Sequence, residues 1–279
     1  MKTTIAYLGP KATYTERAAL NFAKRLGGEA ELTPCTSFGD VFELVENGTV
    51  EYGVVATENS IEGPVTATLD SFANSTNITI LGEEVLDIDH CLVAHPDASE
   101  DDIRLIASHG QALAQCRQYL QDHFGQTKKS ATSSTADAVR MAMTDKTVAA
   151  IANADAAELY GAKILHKGIQ DYEDDQTSFA LIAAADHPQP FTGAKYRTSL
   201  ALFQIDNKAG GLMMILSEFA FANINLTKIQ SRPTKRALGQ YMFFVDAEGS
   251  INDPNVKTAL ACLKLKIRDV RILGSYPIQ

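Results

Sequence analysis

Neutral hydrogen-bonding side chains cluster where extended runs of this chain give way to helical ones. Gly9-Pro10-Lys11-Ala12-Thr13 follows one such run, Glu58-Asn59-Ser60 ends another, and Ser108-His109-Gly110-Gln111 follows a third. Hydroxyl, amide and imidazole groups beside the free N–H groups of a helix N-terminus suit the binding of anionic oxygens. Each group also has a plainer use. Thr13 suits the N-cap of a helix containing Glu16. Asn59 and Ser60 are good caps, with Pro64 suited to a helix N1 position, and His109 could be structural. Glu58 would orient neighbours rather than touch an anion. Thr177, read from residue type alone, is a β-branched strand residue.

The elements that must position these groups alternate. Strand-like runs at Thr4–Leu8, Ala30–Pro34 and Gly53–Ala56 enclose helical patterns at Glu16–Leu26 and Phe38–Glu46. That order favours a parallel sheet with helices on its faces. A second set follows: strands at Ile78–Leu81, Val85–Ala94, Ile103–Ser108, Thr147–Ile151 and Thr177–Ala184, with helices at Gln111–Phe124, Thr135–Met143 and Ala154–Tyr160. Two α/β lobes with a ligand crevice between them are expected. Asp186–Lys195, with two prolines and a glycine, reads as a linker. Beyond it come strands at Ser199–Ile205, Asn225–Ile229, Gln240–Val245 and Val270–Leu273. Two apolar helix faces, Leu212/Ile215/Leu216/Phe219/Ala220 and Val256/Ala259/Leu260/Leu263/Ile267, lie between them. The order βαββαβ over roughly 80 residues is the ferredoxin-like pattern.

The 279 residues carry a net charge of −9 and no basic stripe, which argues against nucleic acid or an anionic membrane as partner. No run approaches the ~18 apolar residues of a membrane span, and no secretory leader is read at the start. The four cysteines are scattered without metal-ligand spacing, as expected of reduced thiols in a cytoplasmic protein.

Five stretches in order carry a resemblance: YLGPKATYTERAA (Tyr7–Ala19), TENSIEGPV (Thr57–Val65), SHGQALAQC (Ser108–Cys116), IQDYEDDQTSFALI (Ile169–Ile182) and NKAGGLMMILSEFAFANINLTKIQSRP (Asn207–Pro233). Together they resemble prephenate dehydratases that end in a phenylalanine-binding ACT domain. The resemblance implies an α/β fold with a two-lobed, periplasmic-binding-protein-like (type II) catalytic domain at 1–185. Lobe one would span about 1–76 and 168–185, and lobe two about 77–167. A linker at 186–196 and a ferredoxin-like ACT domain at 197–279 would follow. It implies conversion of prephenate to phenylpyruvate, carbon dioxide and water with no cofactor or metal. Thr177 falls at the family's catalytic threonine. Thr13, Glu58, Asn59, Ser60, Ser108, His109, Gln111 and Ser178 fall in its substrate-binding motifs. Gly210, Gly211, Leu212, Ser231 and Arg232 match the effector motif, with Asn223 and Asn225 as further oxygen donors. L-phenylalanine as effector and a homodimer or homotetramer are implied.

The match breaks at charged positions. Threonine-serine-phenylalanine stands at Thr177–Phe179 where the family usually has threonine-arginine-phenylalanine, and Gln230 stands for a glutamate. Ala12 replaces a usual glycine. Lys11, His166 and Lys167 are candidates for a replacement cation. Without one, the alternatives are a non-catalytic amino-acid-sensing regulator, an arogenate dehydratase or a non-aromatising prephenate decarboxylase.

Overall fold

The computed structural model describes residues 2–204, 209–235 and 240–278. Ile205, expected to end a strand, Asn207 and Lys208, which begin the last motif, and Gln279 lie outside the described residues.

The chain begins β1 (Thr3–Leu8), α1 (Tyr14–Arg25), β2 (Ala30–Cys35), α2 (Phe38–Glu46), β3 (Tyr52–Asn59), β4 (Gly63–Pro64), α3 (Thr66–Asn74) and β5 (Ile78–Asp87). It continues β6 (Cys91–Ala94), β7 (Leu105–His109), α4 (Gly110–Gln115), α5 (Arg117–Phe124), β8 (Lys128–Thr132), α6 (Thr135–Thr144), β9 (Val148–Ala152), α7 (Ala154–Tyr160), β10 (Lys163–Lys167) and β11 (Gln176–Ala184). Last come β12 (Lys195–Phe203), α8 (Gly211–Phe221), β13 (Leu226–Pro233), β14 (Tyr241–Glu248), α9 (Pro254–Lys266) and β15 (Asp269–Ile278).

Three sheets result. The first has the order β2-β1-β3-β11-β5, with β4 on β3. β1 pairs in parallel with β2 and β3, whereas β11 runs antiparallel to both β3 and β5. The second, β10-β6-β9-β7-β8, comes entirely from chain between β5 and β11. The chain therefore passes between the two sheets twice, at 88–90 and 168–175. β5 belongs to the first sheet, although its residues were expected in the second lobe. The third sheet, β13-β14-β12-β15, is antiparallel, with α8 and α9 packed on one face through Ile215, Phe219, Val256, Leu260 and Leu263. The buried face of α8 is narrower than its apolar periodicity suggests, since Leu212 and Ala220 are exposed.

Local chemistry explains the helix starts that matter for the site. Glu16 N–H donates to Thr13 Oγ1 at 3.3 Å, so Thr13 caps α1. Ser37 and Asp40 form a reciprocal capping box on α2. Pro64 does not begin a helix. Gly63 and Pro64 fold back against Asn59 and Glu58, and α3 starts at Thr66.

The other face of the third sheet lies on the first sheet, joining Ala201, Phe244 and Leu273 to Ile80, Leu69 and Phe72 in one core. At Gly274 the approach is so close that a Cβ would run into the Ile80 backbone.

Candidate active site

A cavity of about 430 Å³ lies between the first two sheets. Four helix N-caps line it: Thr13 of α1, His109 of α4, Ser134 of α6 and Asn153 of α7. Their side chains accept from Glu16, Gln111, Asp137 and Ala156 N–H groups at 3.3, 3.4, 3.0 and 2.7 Å. Two full helices and two short ones thus present their positive ends to one volume. Asn59, His90, Gln111, Gln115, Ser133, Thr135 and Thr177 add neutral polar groups, and Phe38, Val65, Ile88 and Phe179 supply apolar wall. None of these described lining residues is Lys, Arg, Asp or Glu.

The pleat of two paired strands builds the polar centre. Thr177 pairs with Asn59 across β11 and β3. Asn59 Nδ2 lies 3.0 Å from Thr177 Oγ1, 2.6 Å from Asp175 Oδ1 and 3.2 Å from the Gln176 carbonyl. Asn59 Oδ1 accepts from the Ile61 and Glu62 N–H groups at 3.0 and 2.8 Å, which fixes which end of the amide faces Thr177. Thr177 Oγ1 therefore accepts from Asn59, and its own proton is free to donate into the cavity. His90 is buried against Gln115, with Nε2 2.9 Å from Oε1. Burial pushes the His90 imidazole below its ordinary pKa.

Among the residues singled out from the sequence, the cavity gathers Thr177, Thr13, Asn59, His109 and Gln111. Four others are elsewhere. Ser108 is fully buried and donates to the Ile151 carbonyl at 2.7 Å. Ser60 is exposed and ties the β3–β4 turn to Asp174 and Gln176. Glu58 and Ser178 pair with each other one residue from Asn59 and Thr177. Strand alternation turns them to the opposite face, toward the third sheet. There Ser178 donates to Glu83 Oε1 at 2.7 Å, Glu83 pairs with Arg197, and Glu58 meets Lys228 Nζ at 2.8 Å. These groups surround a second cavity of about 170 Å³.

The proposed replacement cations are not in the crevice either. His166 pairs with Glu100 at 2.8 Å, Lys167 ends β10, and Lys11 lies in an adjoining open groove with Arg140 and Tyr160. Ala12 sits at φ 62°, the left-handed region, which accounts for the glycine usual at that position in the resembled family.

Of the expected effector residues, Gly210 (φ 81°) caps α8, buried Gly211 starts it, and Leu212 follows exposed. Asn223 (φ 52°) closes the helix, Asn225 accepts the Glu248 N–H through its carbonyl, and Ser231 is exposed on β13. The Arg232 guanidinium reaches Asp70 of α3, 2.6 Å away.

Sequence reasoning missed Ser134, Asn153, His90, Gln115 and Asp175. Ser134 and Asp137 form a serine-x-x-aspartate start signal for α6. Asp175 sits two residues before Thr177. Gln115 lies inside the SHGQALAQC stretch without a spacing that singles it out, and no local pattern marks His90.

Residues 5–187 match the family described as PDT: Prephenate dehydratase. A prephenate dehydratase of Methanocaldococcus jannaschii is 39% identical, with 100% of this chain and 99% of the relative covered. A bifunctional chorismate mutase/prephenate dehydratase of Aquifex aeolicus is 42% identical over 99% of this chain and 74% of its own length. The crystal structure of a prephenate dehydratase from Arthrobacter aurescens, in complex with L-Phe, superposes with a TM-score of 0.89. It is 35% identical, with 99% of this chain and 90% of that one covered.

Proposed function

This chain belongs to the prephenate dehydratase family, and from that premise we propose how its crevice turns prephenate into phenylpyruvate, carbon dioxide and water. The dianion enters between the two sheets, its charge met by the N-termini of α1 and α6 and by neutral amide and hydroxyl donors. Thr177 donates its hydroxyl hydrogen bond to the departing ring oxygen. As the C–O bond breaks, the electron pair of the ring C–carboxylate bond moves into the ring and carbon dioxide leaves. The leaving oxygen departs as water, so one proton is taken up from solvent. Aromatisation drives the step, and the protein's share is orientation and hydrogen bonding.

The observation that carries this reading is the Asn59–Thr177 contact of 3.0 Å inside a crevice whose described lining holds no Lys, Arg, Asp or Glu. Incubating protein with prephenate and reading phenylpyruvate absorbance in alkali tests it. Product from wild type and background from Thr177→Ala is the expected pair of results. Equal background from both would refute it. Ser178 faces Glu83 and lies outside the crevice, so its lack of charge does not favour a non-catalytic regulator.

The βαββαβ order of β12–β15 with α8 and α9 supports an ACT module, and the L-Phe complex of the Arthrobacter relative supports phenylalanine as its effector. The two sheets joined by two passages of chain support the type II two-lobed layout. Exposed Met213, Phe221 and Ile229, with β13 at a sheet edge, support self-association through this module.

A further inference from the structure

Asp175 has no part in the reaction as drawn, yet it is 1% exposed and stands two residues from Thr177. Its Oδ1 accepts from Asn59 Nδ2 at 2.6 Å, the same nitrogen that lies 3.0 Å from Thr177 Oγ1. Its Oδ2 has no hydrogen-bond partner among the described residues, and neither has His90 Nδ1. The protonation of His90 makes these two orphans complementary. With the Gln115 oxygen toward His90 Nε2, the ring proton sits on Nε2 and Nδ1 is an acceptor, while Gln115 Nε2 is a third buried group without a partner among the described residues. Asp175 and His90 lie within electrostatic reach of each other, and a proton on Asp175 Oδ2 would make that oxygen a donor where the ionised carboxylate only accepts. An ionised Asp175 would instead be a buried anion with one empty oxygen and no cation bonded to it, beside a doubly negative substrate.

We propose that Asp175 is a positioning residue that works as an uncharged carboxyl, holding the Asn59 amide so that the Thr177 hydroxyl is aimed at the leaving oxygen. The inference rests on the role given to Thr177 above. Burial pushes the Asp175 carboxyl up. The hydrogen bond from Asn59, the nearness of His90 and the Ser60 hydroxyl oppose that, and Glu62 reinforces it. The Cys116 thiol, which Asp175 helps to push up, is a further titratable side chain within electrostatic reach. Ionisation at higher pH would draw the Asn59 N–H groups toward Asp175 and repel the substrate, so kcat falls on the alkaline side.

The test compares pH profiles of kcat and KM for wild type and Asp175→Asn. The asparagine still accepts from Asn59, carries a donor as the protonated carboxyl does, and cannot ionise. The expected result is kcat within about 3-fold of wild type near pH 6, and an alkaline fall that disappears or moves up by about one pH unit or more. A merely structural carboxylate would not move that limb. Superimposable profiles would overturn the proposal, as would a loss of about 100-fold or more in Asp175→Asn that Asp175→Glu does not share. Should Asp175→Asn fail to fold, Asp175→Ser carries the same comparison of the alkaline limb. Wild type inactive at every pH would refute the dehydratase reading and this inference with it. An active wild type with an unaltered limb in the variant would refute this inference alone.

Discussion

Lys228 Nζ lies 2.8 Å from Glu58 Oε2, so β13 of the third sheet is tied to the residue immediately before Asn59. The same strand carries Ser231 and Arg232, and Arg232 grips Asp70 on the helix that follows the Asn59 turn. Two ion pairs therefore connect the proposed effector segment to both ends of the β3–α3 region.

Breaking the first of these should separate binding from regulation. In Glu58→Gln, KM for prephenate should stay within about 2-fold of wild type, because Glu58 does not line the crevice. The shift expected from phenylalanine under the proposed effector role should shrink, by some part of the ~1–3 kcal/mol typical of coupled sites. Steady-state kinetics with and without phenylalanine measure both. A large rise in KM would return Glu58 to the substrate site.

Asn59→Ala should lower kcat by about 10²-fold with little change in KM, since it removes the donor that orients Thr177. It also frees two turn N–H groups and the Asp175 carboxyl, so a stability loss of about 1–3 kcal/mol should accompany it. Kinetics and denaturant unfolding on the same preparation separate the two effects.

Arg197 of β12 meets the Glu83 carboxylate to which Ser178 of β11 donates, so an arginine at 178 and Arg197 would compete for one carboxylate. Arg197→Ser should cost about 3–5 kcal/mol by stranding a largely buried Glu83. Ser178→Arg alone should also destabilise, by setting two guanidinium groups against one carboxylate. The double variant should recover much of the loss. A double-mutant cycle by urea unfolding checks this, and strict additivity would exclude the exchange.

Burial pushes the Asp70 carboxyl up, but hydrogen bonds from Arg232 and Lys235 outweigh it, leaving the group below its ordinary range. A depressed pKa contributes stability that is present above the unfolded-state value and lost as pH falls through the folded one. Acid should therefore weaken the contact between α3 and β13. Asp70→Asn should cost about 1 kcal/mol near neutrality and less as the pH is lowered through the carboxylate range. Thermal unfolding across that range reads the difference.

Much of this fold is legible from periodicity. The helices at Phe38–Glu46 and Ala154–Tyr160 match their patterns to the residue, because cap and stop signals bound them. β8 and β10 carry lysines and little apolar signal, as edge strands do, and no strand was read there. The expected single helix from Gln111 to Phe124 breaks at Cys116, where Asp171 accepts from the Gln118 N–H. That partner is remote in sequence, and so is the Gln115 that holds His90. Motif resemblance located Asn59 and Thr177, but it grouped them with Glu58 and Ser178. A motif records adjacency along the chain, whereas a strand sends adjacent side chains to opposite faces.

That alternation has a mechanical meaning. Asn59 and Thr177 touch the crevice while their immediate neighbours face the third sheet, Glu58 through Lys228 and Ser178 through Glu83 and its partner Arg197, and the same stretch of backbone carries both pairs. Sideways pressure on one face cannot be absorbed by a loop before it reaches the other, since only one peptide unit lies between. A displacement of the C-terminal sheet no larger than a hydrogen bond can stretch would be felt by the Thr177 hydroxyl as a change of aim. Control of the reaction would then need no opening or closing of the lobes, only a change in how squarely one pair of strands is held.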